Sequence, residues 1–99
     1  MTEPDPPRVR AISEPIETPV FRCQLLVSRN EQGQVTARCA NLRDVAGQGE
    51  SERMALQRAV AAFKAVAVQH EGKKDAMPWI DPPLAPEPGE LERFLAVHL

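Results

Sequence analysis

Asp44, Glu50 and Asp75 are the carboxylates that could hold a divalent ion for hydrolysis. Metal-assisted chemistry needs such oxygens to converge on one ion. Here they are spread along the chain. Asp44 falls in a turn, where an aspartate commonly bonds its own backbone. Glu50 and Glu52 flank a helix start, where negative charge meets the positive end of the helix dipole. His70 and His98 are the only histidines, and Cys23 and Cys39 the only cysteines. None has the spacing of a zinc site, and no Ser-His-Asp arrangement stands out. The expectation is no catalytic residue, no metal site and no cofactor.

Binding chemistry has better candidates. Trp79 is the only tryptophan and stands among five prolines, with Ile80 beside it. It can clamp its own segment onto the body or offer an aromatic anchor to a partner. Arg22 and Arg38 alternate with apolar residues on neighbouring strands. That puts both on a polar face, free to pair with acids or to touch phosphate. Trp79, Ile80, Arg22 and Arg38 are therefore the partner-binding candidates.

The elements that position these residues are marked out by proline. The chain has 99 residues and ten prolines. Five lie in 1–19 and five in 78–88, with none from Val20 to Met77. Proline removes a backbone donor and restricts its predecessor, so it avoids element interiors. This divides the chain into a Pro-rich extended or disordered tail (1–19) and a single domain (20–99) containing a Pro-rich connector (77–90). Ile12 or Ile16 could dock on the body. A chain this size buries only roughly 60–65 % of its surface, which favours self-association.

Residues 20–29, VFRCQLLVSR, alternate with period two and read as a strand. Phe21, Cys23, Leu25 and Val27 share the inner face, and Leu26 breaks the pattern on the other. Asn30 to Gly33 form a turn, and 34–40 a second strand. Pairing Val27 with Val35 sets Leu25 opposite Ala37 and Cys23 opposite Cys39. A directly cross-strand disulfide is strained, so the thiols read as small buried hydrophobes. Val45 to Gln48 make a short third strand, where Gly47 and Gly49 suggest a close backbone approach. Residues 51–70 form a helix capped by Ser51, with Leu56, Ala59, Val60, Phe63, Val66 and Ala67 as its buried stripe. Gly72 stops it. Residues 93–98 return as a last strand at an edge or the centre. The fold class is α+β: a small antiparallel sheet of three to four strands on one helix, in the order β-β-(β)-α-β.

Charge limits the partners. The formal net charge is −2. Residues 20–77 carry nine basic and six acidic groups, whereas 78–99 sum to −3. No basic stripe marks a nucleic-acid binder. There is no apolar leader at the N-terminus and no run long enough for a membrane helix. The expected setting is the cytoplasm.

One string adds a family resemblance. Residues Ala40-Asn41-Leu42-Arg43-Asp44-Val45-Ala46-Gly47-Gln48-Gly49-Glu50-Ser51-Glu52-Arg53-Met54-Ala55-Leu56 follow the second strand. They resemble the motif Pro-Asp-Leu-Pro-Gly-Cys-Val-Thr-x-Gly-Asp-Thr-x-x-Glu-Ala-Leu of the HicB-like antitoxin domain. Leu42, Gly49, Ser51, Ala55 and Leu56 match or substitute conservatively, and Glu50 stands for the acidic residue before the cap. Arg43-Asp44-Val45 replaces the Pro-Gly-Cys step, and Met54 replaces the helix glutamate. The resemblance covers roughly residues 20–99. It implies a partial RNase H-like fold and a partner that is a small basic mRNA-cleaving toxin. Family members often carry a DNA-binding segment after this domain. Here Leu99 follows the last strand, so DNA binding is not expected. The resulting expectation is a non-enzymatic, oligomeric protein-binding domain. Two alternatives stand beside it: a structural or regulatory subunit docking through Trp79, and a small metal-dependent hydrolase using Asp44, Glu50 and Asp75.

Overall fold

A computed structural model describes residues 20–99. The expectations for residues 1–19 lie outside this range. The elements are β1 (Val20–Arg29), β2 (Val35–Cys39), β3 (Ala46–Gly49), α1 (Glu52–Gln69), a single 3-10 turn (Lys74–Ala76) and β4 (Leu91–His98). The four strands form one antiparallel sheet in the order β3-β2-β1-β4. The α+β class and the order β-β-β-α-β are as the periodicities predict, with the optional third strand present and β4 at an edge.

The β1–β2 register differs from the predicted one by two residues. Val27 faces Ala37, Leu25 faces Cys39 and Arg29 faces Val35. The turn is the cause. Asn30 accepts amide bonds from both Gln32 and Gln34 on its side-chain oxygen, at 3.0 and 2.9 Å. Gly33 takes a left-handed φ of 84°. That loop occupies all of 30–34, so the ladder begins at Arg29↔Val35. A two-residue slip preserves the side-chain faces, so the inner set is unchanged. Cys23, however, is not opposite Cys39; both are buried and free.

Helix α1 covers the inner face. Ser51 caps it by accepting the Met54 amide at 3.2 Å. Its innermost row is Ala55, Ala59, Phe63 and Ala67, spaced one turn apart and all buried. The predicted stripe named Leu56, Val60 and Val66, which are only half-buried, and omitted Ala55. Small residues occupy the centre because the backbones approach closely. A Cβ on Gly47 would collide with the backbone of Ala59 and stand 2.5 Å from the Ala55 carbonyl oxygen. The helix ends with Gly72 donating to the Ala67 carbonyl at 2.8 Å and adopting φ 72°.

The helix runs from the Gly49 end of the sheet toward Phe21, yet β4 begins opposite Val27. The chain must therefore travel back before it can enter the sheet antiparallel to β1. Residues 77–90 make that journey: Met77 and Trp79 still pack on the helix-side cluster, and the rest of the segment passes to the outer face, where Arg38 lies. The Ile80 amide donates to the Asn41 carbonyl at 3.0 Å and the Leu84 amide to the Ala40 carbonyl at 2.9 Å. Glu90 then ion-pairs Arg38. This strap explains Leu26. It points away from the helix and stands outside the helix-side cluster, yet it is fully buried. A strap rich in proline suits the position, since each proline presents no amide needing a partner. Among the described residues, no helix is long and apolar enough to cross a membrane.

Candidate interaction site at the sheet edge

Two of the carboxylates predicted from chemistry are placed far apart. Glu50 precedes α1 and Asp75 lies beyond its far end. An 18-residue helix separates them by roughly 27 Å at 1.5 Å per residue. Asp44 sits in the β2–β3 turn with φ 61°. The three carboxylates do not meet. Among the described residues, no group of three His, Cys, Asp or Glu is placed to hold a metal ion. His70 is the C-cap of α1, its Nδ1 3.0 Å from the Val66 carbonyl oxygen. His98 is exposed at the end of β4.

Of the binding candidates, Trp79 is the connector's clamp. Its ring packs against Phe21 and Phe63, with centroids at 6.3 and 6.1 Å. Its indole N–H donates to the Lys74 carbonyl at 2.8 Å. Ile80 is half-buried beside it. Arg38 is engaged: Nε and Nη2 each donate to a different Glu90 oxygen at 2.7 Å. That fork pulls the Glu90 carboxyl below its ordinary range and raises the Arg38 guanidinium further. Arg22 is exposed and lies over the Phe94 ring, 5.7 Å from its centroid. Trp79 and Ile80 thus lie together, Asn41 links Ile80 to the Arg22 backbone, and Arg38 is held by Glu90.

The two thiols are coupled inside the core. Cys39 S–H donates to Asn41 Oδ1 at 3.1 Å. The bond between the sulfurs favours the Cys39 thiolate, and burial opposes it. Backbone amides near Asn41, Leu42 and Gln24 assist, and Cys39 falls to about 7. The same shared bond, then burial, pushes Cys23 up. With both sulfurs buried, reagents reach neither easily.

A surface that residue chemistry did not single out lies along β4. One side of this strand pairs with β1, and among the described residues the other has no partner. The helix sits over β2 and β3 and covers β4 little. A groove of about 500 Å³ remains between them, with Leu56 and Val60 on the helix wall, Leu95 on the strand, and Glu52 and Arg53 at its rim. At one end Arg93 Nε donates to Glu52 at 2.7 Å. Phe94 and Leu91 are each more than half exposed. The sequence carries a signal for this edge, because LERFLAVH contains no proline, glycine or lysine to guard it. No family model, curated protein or solved structure matches the chain.

Proposed function

We propose that the chain is a non-enzymatic protein-binding domain of the HicB-like antitoxin kind, acting on a small basic mRNA-cleaving protein in the cytoplasm. The observation that carries the binding role is β4: an unpaired strand edge beside an apolar groove. An extended segment of a partner can add to such an edge through backbone hydrogen bonds, with side chains entering the groove for specificity. Three things support the antitoxin class. The string from Ala40 to Leu56 forms the turn, β3 and helix cap that its resemblance implies. Glu87 and Glu92 lie near the β4 side of the domain and suit a basic partner, whereas Glu52 and Glu90 are already held by Arg93 and Arg38. Two free, buried thiols fit a reducing compartment.

The test is coexpression with the product of an adjacent open reading frame that encodes a small basic protein. Copurification, together with suppression of that protein's RNA cleavage, is the expected result. Cleavage undiminished by an excess of this chain overturns the reading.

A further inference from the structure

Natural sheets protect a free edge by keeping it short, or with proline, lysine, a bulge or an inward charge. The opposite edge follows this rule: β3 has four residues, two of them glycine. β4 does not. It has eight residues and pairs with β1 in continuous register from Val20↔His98 to Val27↔Leu91, without a bulge. Its two charges are both engaged within the domain: Arg93, which points inward, pairs with Glu52, and Glu92 accepts from Gln24 at 3.2 Å. Apolar groups are exposed on both of its faces: Leu91 on the helix side and Phe94 on the outer side.

We infer that β4 is the interface with a second copy of this chain, pairing antiparallel about a two-fold axis to give one continuous sheet across both copies. This inference rests on the protein-binding reading and makes a second copy the occupant of the β4 edge, so that the second copy and the ribonuclease compete for it. The strand's own residues select the register. Directly opposed residues share a face, so the axis must pass a residue facing its own copy. Centred on Arg93 or Glu92, the pairing sets like charges face to face. Centred on Phe94, it places His98 opposite Glu90, whose carboxylate already holds Arg38.

Centred on Leu95, no like charges oppose. Glu92 meets the partner's His98 and His98 meets the partner's Glu92, so the complementary pair occurs twice. Glu92 bonds Gln24 Nε2 through Oε2, which leaves its other oxygen available. Phe94 lies against the partner's small Ala96. Leu91 reaches the partner's Leu99, which is itself partly exposed. On the helix side, Leu95 meets its own copy on the axis. The two grooves lined by Leu56 and Val60 then abut and close over apolar side chains from both copies.

Sedimentation equilibrium of the full chain tests the interface, and His98→Glu tests the register. The wild-type chain is expected to be a dimer. His98→Glu places two acids opposite one another twice and weakens the dimer by about tenfold. Glu92→Lys combined with His98→Glu restores it. Leu95→Cys is joined between copies at the axis by a short bis-maleimide, which bridges the two thiols without the geometry of a direct cross-strand disulfide. Far-UV circular dichroism and Trp79 fluorescence confirm that each variant is folded. A monomer at the highest soluble concentration overturns the inference. So does a dimer that neither His98→Glu nor the double variant alters and that Leu95→Cys does not cross-link. A monomer that still binds a basic ribonuclease refutes the dimer and leaves the protein-binding reading standing. A β4 dimer that binds no ribonuclease supports the interface and refutes the antitoxin role.

Discussion

The Asn41 side chain stands in for strand backbone opposite Cys23, bridging the peptide groups on either side of it. Its Nδ2 donates to the Arg22 carbonyl at 2.9 Å, and its Oδ1 accepts the Gln24 amide at 3.1 Å. The β1–β2 ladder ends at Leu25↔Cys39, and this side chain continues its hydrogen bonding past the end. The backbone carbonyl of Asn41 meanwhile accepts from Ile80. One residue therefore secures both the hairpin and the strap.

Asn41→Ala strips a partner from two backbone groups of β1 and from the Cys39 thiol. The expected cost is about 2–3 kcal/mol of unfolding free energy, read as a lower urea midpoint at an unchanged slope. Asn41→Asp keeps the acceptor but turns a carboxylate oxygen toward the Arg22 carbonyl, and it also destabilises. A variant as stable as wild type shows that the side chain does not hold the hairpin end.

Gly47 and Gly49 answer differently to alanine. A methyl group at Gly47 strikes the backbone of α1, which can yield only by lifting the helix from the sheet. At Gly49 it meets the Met54 side chain, with Cβ and Cγ at 2.7 Å and Sδ at 2.9 Å; Cγ and Sδ can rotate away, and only Cβ needs a small backbone shift. Gly47→Ala is expected to cost about 3 kcal/mol or more, and Gly49→Ala about 1–2 kcal/mol. Equal thermal midpoints for the two variants contradict the close approach.

The Arg38–Glu90 fork makes stability depend on acid. The folded state holds the Glu90 carboxyl below its ordinary value of 4.5. The pair's contribution is therefore full above that value. It declines as pH falls below it and is gone once pH passes the lowered folded value. Glu90→Gln should remove about 1 kcal/mol near neutrality and flatten the acid limb of a stability–pH curve. An acid limb identical to wild type places that dependence on other carboxylates.

Trp79→Ala removes the ring that Phe21 and Phe63 pack against, along with the indole bond that ties the strap to Lys74. About 2–4 kcal/mol is expected, measured by circular dichroism because this is the only tryptophan. Trp79→Phe retains much of the packing and loses only the hydrogen bond, about 1 kcal/mol. If Trp79→Ala leaves the unfolding midpoint unmoved, Trp79 is not the clamp.

Much of this fold is legible in local pattern. The period-two run of β1, the Ser51 cap and the stopping Gly72 each act within a few residues, so the sequence shows them directly. Gly47 announces its close approach because only glycine fits there. The register was harder, since it depends on the length of the loop that Asn30 closes. Leu26 looked misplaced because its cover is the strap, some sixty positions downstream. Arg38 read as free for the same reason, with Glu90 in the same distant segment. The β4 edge is least legible. Alternation predicts a strand, but only the sheet order shows that one side of it is left open.

The strand order also has a consequence for the growing chain. β1 lies inside the sheet, and one of its two neighbours is the last of the four described strands in chain order. Until Leu91–His98 leave the ribosome, the hairpin and helix can assemble, but the other side of β1 stays unpaired. The nascent domain is thus sticky where the finished sheet is continuous, and completing β4 moves the open edge one strand outward.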